Sequence, residues 1–362
     1  MSRMALVLQG GGALGAYEYG VVTKLVDMGW EPVAVTGVSI GAINAAAIAG
    51  ARDGDIPASL DRVWKAITLP AVPWLPESMQ GNLSLFGNPN FWRSRTDYLQ
   101  MASWTSLCST EPMYQTLSSA LDFDRINHHP SIRMAVTATC LRTGGPTTFS
   151  NHLAAGAHTH ATNHKAVQSH ITPAHIMASG ALPPGFPAVR IDDCPYWDGG
   201  LFSNTPIDAL LNLLEPDEID NLPIFTIDLF RTGGLPEPQN LMDVQTRALA
   251  MQYENRFWAE YGGDAGLDAF LAMLSQIDEA LPPDSKVRGN RAYDWLKRLR
   301  ALKNIRVIEG AAAAAGGDHD FSAYGVRKAY EAGRAAALEF DPKKMQLPPL
   351  RAVPAARPVA VG

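Results

Sequence analysis

Residues 37–41 read Gly-Val-Ser-Ile-Gly and place Ser39 between two glycines. An apolar run precedes this segment, and a small-residue run of helical character, 42–48, follows it. A serine in a sharp turn between a strand and a helix exposes its hydroxyl, because Gly37 and Gly41 leave room for the crowded backbone. The helix also presents its positive N-terminal end to a developing negative charge. The pattern therefore predicts a nucleophile elbow with Ser39 as the nucleophile.

A glycine-rich loop follows the first apolar run of the chain. The backbone N–H groups of Gly10, Gly11 and Gly12 can converge there on one small volume at the start of a helix. Such a cluster suits an anion or the oxyanion of an acyl-transfer intermediate. Gly10, Gly12 and Gly15 also match a dinucleotide-binding fingerprint. That alternative requires a carboxylate at the end of the second strand, whereas Glu31 precedes the strand, so the sequence favours the oxyanion interpretation.

A carboxylate followed by two glycines forms a third feature, Asp198-Gly199-Gly200. A neutral serine hydroxyl needs a base to take its proton during attack, and an aspartate can do so from hydrogen-bond distance. The residues around Asp198 are mostly apolar, and partial desolvation raises the basicity of a carboxylate. We therefore expect Asp198 to act as the base. In the alternative, a histidine completes a conventional triad, and His170 and His175 are nearest in sequence.

Hydrophobic patterning predicts the elements that position these residues. An apolar strand at 4–9, a helix over about 13–28 and a second strand that delivers Ser39 make a β-α-β unit. Such a unit predicts a parallel sheet with helices packed on its faces. Strand-like runs at 133–139 and 223–229 extend the same pattern.

Residues 69–112 differ in kind, because prolines, glycines and asparagines interrupt an otherwise apolar segment. The segment predicts either a lid or wall of an acyl groove, or a loop that its aromatic residues pin to the body of the protein. The two interpretations fit the pattern equally well. Its large apolar residues are Trp74, Leu75, Leu83, Leu85, Phe86, Phe91, Trp92 and Trp104.

Composition limits the classes of partner and compartment. The net charge of the 362 residues is −6 at pH 7 with dispersed basic residues, so we expect no nucleic acid as a partner. The cysteines Cys108, Cys140 and Cys194 include no CxxC pair, which favours a reducing compartment over a disulfide scaffold. No apolar run approaches the ~18 residues of a spanning helix, and the first strand is too short for a signal-peptide core. We expect a cytoplasmic protein that could touch the inner face of a membrane.

The histidines His158, His160 and His164 have a spacing that could gather a metal ion, but no cysteine or carboxylate lies near them in sequence. No acidic calcium-binding loop is apparent in the sequence either. The pattern therefore favours a tolerant polar insertion and predicts neither a metal nor a cofactor.

Composition divides the chain into three parts. Residues 1–230 hold the glycine-rich segments and the predicted sheet strands. Residues 231–340 are dominated by helical patterns, with helices expected over about 241–261, 292–303 and 322–340 and a short strand at 305–308. Residues 341–362 are rich in proline and alanine and predict a disordered tail.

Together, Gly-Gly-Gly-x-x-Gly, Gly-x-Ser-x-Gly and Asp-Gly-Gly resemble the sequence blocks of the patatin-like phospholipase family in kind and order. The proline-containing segment 178–187 is similar to the family's block before the aspartate, and the resemblance covers about 4–208. It implies a three-layer α/β/α patatin-like fold with a mostly parallel central sheet. The C-terminal region looks like the helical extension of a bacterial subgroup.

The resemblance also implies a chemistry without a catalytic histidine. Ser39 matches the nucleophile of a serine–aspartate dyad, and Asp198 matches its base. Gly10, Gly11 and Gly12 match the loop that forms the oxyanion hole. These assignments agree with the interpretation of each residue by itself.

We therefore predict an enzyme that cleaves lipid carboxylic esters through an acyl-enzyme intermediate, with a lipid or another acyl ester as its partner. Two alternatives stay open. The first is an acyltransferase or thioesterase that uses the same serine, and the second is a non-catalytic lipid-binding module. Many members of the family carry a cation where this chain has Leu14. This difference leaves the preferred charge of the substrate open. The lipid class and the oligomeric state are open independently of it.

Overall fold

The computed structural model describes residues 2–128, 130–157, 165–230, 237–239, 241–253, 263–310 and 318–340. Its strands are β1 (Ser2–Leu8), β2 (Trp30–Gly37), β3 (Gly87–Asn88), β4 (Trp92–Ser94), β5 (Cys108–Ser109), β6 (Arg133–Cys140), β7 (Pro146–Ser150), β8 (Lys165–Gln168), β9 (Val189–Ile191), β10 (Cys194–Asp198), β11 (Ile224–Asp228) and β12 (Ile305–Glu309). Its helices are α1 (Gly15–Asp27), α2 (Ile40–Ala49), α3 (Ile56–Ile67), α4 (Glu77–Gln80), α5 (Glu111–Ala120), α6 (Phe123–His128), α7 (Pro173–Ser179), α8 (Ile207–Leu211), α9 (Leu241–Tyr253), α10 (Gly263–Ala280), α11 (Arg291–Arg298) and α12 (Ala323–Glu339).

Nine of the described strands form the central sheet. Their order is β12-β11-β1-β2-β6-β10-β9, with β7 paired to β6 and β8 to β7. Neighbouring strands run parallel from β12 to β6, whereas β10 joins β6 antiparallel. Leu8 at the end of β1 pairs with Gly37 at the end of β2. The glycine loop after β1 and Ser39 after β2 therefore start side by side at the carboxyl edge of the sheet.

Alternation along β1 separates two apolar cores, one on each face of the sheet. Met4, Leu6 and Leu8 belong to a core that includes residues of α1, α2, α3 and α12. Ala5 and Val7 belong to a second core with residues of α8, α10 and α11. Because both faces are covered, the strand is apolar from Met4 to Leu8, as is typical of parallel sheets. The predicted three-layer α/β/α fold with a mostly parallel sheet is confirmed.

The C-terminal region contributes to this same body. β12 extends the central sheet beside β11, and α12 packs along α1. Gly20 permits this approach, because a Cβ atom there would lie 2.0 Å from the carbonyl oxygen of Tyr330. Ser322 caps α12, its hydroxyl accepting a hydrogen bond from the Gly325 N–H at 3.1 Å. The region expected to be mainly helical with one short strand thus adds that strand to the central sheet and contributes part of the core.

The predicted elements are present with shifted ends. The first strand begins at Ser2, and the helix predicted over 292–303 ends at Arg298 before a 3-10 turn. The end of the helix predicted over 241–261 and the tail 341–362 lie outside the described residues. Within the ranges given above, no helix combines the length and the apolar character needed to cross a membrane.

The 69–112 excursion contains a small antiparallel sheet of β3, β4 and β5. Phe91 and Trp92 attach this sheet to the body of the protein. The ring centroids of both residues lie 5.4 Å from that of Phe321, and Trp92 lies 5.9 Å from Phe186. Aromatic residues therefore anchor the excursion, as one of the two interpretations predicted.

Candidate active site

Ser39 occupies the turn between β2 and α2 in a strained conformation, with φ 54° and ψ −121°. Positive φ is uncommon for a residue other than glycine and marks backbone strain at a functional site. The flanking glycines are required by close packing. A Cβ atom on Gly37 would lie 2.2 Å from the carbonyl oxygen of Gly41, and one on Gly41 would lie 2.6 Å from that of Gln9. Ser39 therefore lies in a tight strand-to-helix turn between two closely packed glycines.

The end of α7 holds this turn in place. The Ser39 N–H donates to the carbonyl oxygen of Ser179 at 3.0 Å and lies 3.1 Å from its Oγ. The Ser179 hydroxyl in turn donates to the carbonyl oxygen of Thr137 on β6 at 2.7 Å. The elbow is therefore tied to the strand that neighbours both β2 and β10. The sequence interpretation missed Ser179, which belongs to the proline-containing segment before the aspartate.

Asp198 ends β10 and is buried, with 3% of its surface exposed. Its Oδ1 accepts a hydrogen bond from the Gly200 N–H at 2.7 Å, and its carboxylate interacts with the Ser39 hydroxyl as donor. Burial raises the pKa of the Asp198 carboxyl to about 7, although the hydrogen bonds from Gly200 and Ser39 act in the opposite direction. The structure thus brings the predicted nucleophile and base together in a desolvated environment.

An asparagine that the sequence interpretation missed holds the glycine loop in place beside Ser39. Asn204 clamps Gly10, since its Oδ1 accepts from the Gly10 N–H at 3.0 Å and its Nδ2 donates to the Gly10 carbonyl oxygen at 3.1 Å. A Cβ atom on Gly10 would lie 2.9 Å from that of Ser39. In the described chain, the N–H groups of Gly11 and Gly12 have no such partner. The clamp therefore leaves two of the three predicted oxyanion donors available.

A buried network of hydrogen bonds holds Gln9, the residue that precedes the glycine loop. The Gln9 N–H donates to Glu18 at 2.6 Å, and Asn44 donates to the other Glu18 oxygen at 2.9 Å. The Gln9 side chain donates to Thr205 at 2.7 Å and accepts from the Leu229 N–H at 2.7 Å. Burial raises the pKa of Glu18 to about 8. Two features of the sequence indicate this network. Gln9 ends an apolar run, and Glu18 lies among apolar residues of the predicted helix.

Ser39 and Asp198 open into a cavity of about 230 Å³. The glycine loop and Asn204 lie at its polar end, and apolar side chains form most of the remaining wall. The apolar part includes Ile40, Ile43, Phe91, Trp92, Met113, Ile176, Leu182, Phe186, Phe230 and Phe321. The 69–112 excursion thus lines the cavity through Phe91 and Trp92, so the interpretation of the excursion as a groove wall also agrees with the structure.

The histidines considered for a triad lie elsewhere. His175 is buried at the start of α7, where its Nδ1 lies 2.9 Å from the Thr172 hydroxyl, and burial lowers its pKa to about 4. Neither His175 nor His170 lines the cavity. His319 does line it, and interaction with the Asp318 carboxylate, 3.6 Å away, raises the pKa of His319. The sequence interpretation did not place His319 in the site.

No group of three His, Cys, Asp or Glu side chains within the described ranges could hold a metal ion. The histidines His158, His160 and His164 lie outside those ranges. The polar groups at this end of the cavity include the Ser39 hydroxyl, the Asp198 carboxylate, the Asn204 amide and backbone N–H groups of the glycine loop. This donor set suits acyl transfer by general base catalysis.

Known proteins that are similar to this chain indicate its family. A crystal structure of VipD from Legionella pneumophila is similar to this chain with a TM-score of 0.37 and 15% sequence identity, over 93% of this chain and 67% of VipD. No curated protein matches the chain. The model of the patatin-like phospholipase family matches residues 6–211, more than half of the chain, and this span includes Ser39 and Asp198. The chain belongs to the patatin-like phospholipase family.

Proposed function

We propose that this protein is a serine hydrolase that cleaves lipid carboxylic esters, with Ser39 as nucleophile and Asp198 as general base. Membership of the family supports lipid acyl hydrolysis in general. The observation that carries the specific assignment is the interaction of the Ser39 hydroxyl with the buried Asp198 carboxylate at the polar end of an apolar cavity. The N–H groups of Gly11 and Gly12 would bind the oxyanion, while Gly10 anchors the loop to Asn204.

The proposed reaction has two halves. Ser39 Oγ attacks the ester carbonyl carbon while Asp198 takes the hydroxyl proton, and negative charge forms on the carbonyl oxygen. The tetrahedral intermediate collapses, the C–O bond to the alcohol breaks, and Asp198 returns the proton to the departing oxygen. A water molecule then attacks the acyl-enzyme, again losing its proton to Asp198, and the fatty acid leaves as Ser39 recovers its hydrogen. Atoms and charge balance without a cofactor.

The pKa of Asp198 suits this role. An ordinary aspartate is a weak base, whereas burial raises the pKa of Asp198 to about 7. A general base works best when its pKa lies near the working pH, since it is then both ionised and basic. The fixed Gly200 N–H keeps one carboxylate oxygen oriented. The other oxygen would take the proton.

The cavity indicates the kind of acyl group. Its volume of about 230 Å³ falls below the roughly 300–1,000 Å³ of sites that enclose drug-sized ligands. Its wall combines aromatic residues of the excursion with apolar residues of α2 and α7. We therefore infer that one acyl chain enters the cavity and that the alcohol part of the lipid stays outside.

Kinetics on a p-nitrophenyl ester test the assignment. Ser39→Ala and Asp198→Asn should each lower kcat by a factor of about 10³ or more, because each removes one member of a unit that acts together. Asp193→Asn changes an exposed carboxylate in the hairpin that leads to Asp198 and provides the matched control. Near-normal activity of Ser39→Ala, with its fold intact by circular dichroism, would rule out this nucleophile.

A panel of phospholipids, lysophospholipids, triacylglycerols and thioesters with mass detection would then identify the substrate class. Free fatty acid as the sole acyl product supports hydrolysis. Transfer of the acyl group to an added alcohol or thiol, lost in Ser39→Ala, would instead favour the acyltransferase alternative. Tight lipid binding without turnover would favour the non-catalytic module.

A further inference from the structure

Residues 95–107 form a loop that is closed at its base. The Arg95 N–H donates to the carbonyl oxygen of Leu107 at 3.2 Å, and the strands on either side, β4 and β5, pair with each other. Within the loop, the ring centroids of Tyr98 and Trp104 lie 5.9 Å apart, and the Arg95 guanidinium covers the Trp104 ring at 4.9 Å. The loop is therefore a defined projection from the 69–112 excursion.

The tip of this loop exposes large apolar side chains. A short 3-10 helix, Tyr98–Ser103, carries Tyr98 at 68% exposure, Met101 at 62% and Leu99 fully exposed at 104%. Leu107 at the base is also exposed. Single exposed apolar residues are ordinary on protein surfaces, but several on one short projection indicate an interaction surface. Tyrosine beside aliphatic residues is also the composition found at membrane interfaces.

Both ends of the loop are attached to segments that line the cavity. β4, which leads into it, carries Trp92 of the cavity wall. On the other side, the N–H groups of Leu107 and Cys108 donate to the carbonyl oxygens of Pro184 and Gly185 at 2.9 Å each, and Leu182 and Phe186 on either side of these two residues line the cavity. A surface that contacts the tip of the loop therefore comes close to the entrance of the site.

The charges of the loop are paired and sum to zero. Arg95 and Asp97 are its only charged residues, and the Arg95 Nε donates to Asp97 Oδ1 at 3.0 Å. This hydrogen bond lowers the pKa of Asp97 to about 2, so both partners stay charged at neutral pH. At the base, Arg93 pairs with Glu111. A neutral apolar loop complements a zwitterionic lipid surface and gives no attraction specific to anionic lipid.

We propose that the 95–107 loop inserts Tyr98, Leu99 and Met101 into the surface of a zwitterionic phospholipid bilayer and so docks the cavity entrance on its substrate. The apolar side chains leave water for the boundary between head groups and acyl chains, while the Arg95–Asp97 pair stays at the head-group level. The docking places the mouth of the cavity beside lipid without a conformational change of the body. It would hold whether or not Ser39 is the nucleophile.

Co-sedimentation with vesicles of ether-linked phosphatidylcholine tests this docking, because these lipids contain no ester to cleave. Leu99→Asp should lower the partition coefficient by about tenfold to a hundredfold, the effect of losing one buried leucine side chain. The matched control is Leu338→Asp. Leu338 is also an exposed leucine, and it lies near the C-terminal end of α12, a helix that extends about 25 Å from the cavity side. Leu338→Asp should bind as the wild type does.

Three results of this vesicle comparison would overturn the proposal. These are no binding of the wild type to the vesicles, equal binding of Leu99→Asp and wild type, or an equal loss in Leu338→Asp. Binding that needs anionic lipid and disappears in high salt would also contradict a neutral apolar contact. A wild-type dimer in analytical ultracentrifugation that Leu99→Asp abolishes would show that the loop faces a second copy and not a membrane.

Activity on two kinds of substrate separates docking from catalysis. Leu99 does not line the cavity, so Leu99→Asp should leave hydrolysis of a soluble short-chain ester unchanged. Turnover of ester lipid in vesicles should fall in step with the loss of vesicle binding. Equal losses on both substrates would show that the variant damages the site or the fold, and the docking proposal would then fail.

Discussion

Replacing Asp198 by asparagine should remove the proposed base and also stabilise the folded protein at neutral pH. Burial raises the pKa of the Asp198 carboxyl to about 7 in spite of the hydrogen bonds from Gly200 and Ser39. A carboxyl whose pKa is higher in the folded than in the unfolded state contributes stability that is present at low pH. That contribution is lost as the pH rises from about 4 to about 7. Asparagine does not ionise, so the variant does not lose this stability as the pH rises.

The structure sets the size of the effect. The pKa of Asp198, about 7, lies about three units above its ordinary value of 3.8, and each unit corresponds to about 1.36 kcal/mol between the two protonation states. The ionised carboxylate therefore costs about 4 kcal/mol above pH 7. The variant weakens the interaction with the Ser39 hydroxyl, worth about 1 kcal/mol. We expect Asp198→Asn to raise the free energy of unfolding by about 1–3 kcal/mol at pH 8 and to give no gain at pH 4.

Urea titrations followed by tryptophan fluorescence between pH 4 and pH 8 measure this difference. The difference in the free energy of unfolding between variant and wild type should increase up to about pH 7 and then stay constant. Asp278→Asn is a control of opposite sign, because the Tyr293 hydroxyl donates to Asp278 at 2.6 Å and lowers its pKa. That variant should lose stability above pH 4. A stability difference for Asp198→Asn that does not vary with pH would refute the desolvated carboxylate.

Three further predictions concern rates. Below about pH 7, kcat/KM should fall tenfold per pH unit, because Asp198 must be ionised to accept a proton; a flat profile from pH 5 to pH 8 would contradict this. Asn204→Ala should lower kcat by about tenfold to a hundredfold with little change in KM, since it releases Gly10, and steady-state kinetics with an unchanged kcat would show that the clamp is dispensable. His319→Gln should change kcat less than about tenfold, because His319 interacts with Asp318 and Asp320 and not with Ser39; a loss as large as that of Asp198→Asn would point to His319 as the base.

Much of the site could be predicted because its chemistry depends on local backbone geometry. At positions 37 and 41, an added Cβ atom would lie less than 3 Å from neighbouring backbone atoms. Only glycine fits there, so these positions can be recognised in the sequence. The alternation of strand, glycine loop and helix predicted the parallel pairing of β1 with β2. That pairing alone sets the glycine loop beside Ser39.

The contacts between distant segments could not be predicted in this way. Asn204 clamps Gly10 across 194 residues, and a single asparagine in a loop carries no periodic signal. The sulfur atoms of Cys140 and Cys194 lie 2.8 Å apart on neighbouring strands, although 54 residues separate them. Phe321 likewise packs on Phe91, which is far from it in the sequence. Such partners follow from topology, which hydrophobic patterning does not specify.

Labelling with a fluorophosphonate, followed by peptide mass mapping, tests the central claim most directly. The reagent traps a serine only when its hydroxyl is activated and an oxyanion site accepts the phosphoryl oxygen. We predict one adduct, on Ser39, whose rate of formation falls by at least a hundredfold in Asp198→Asn. An adduct on a different residue, or equal labelling rates in Asp198→Asn and wild type, would contradict the Ser39–Asp198 assignment.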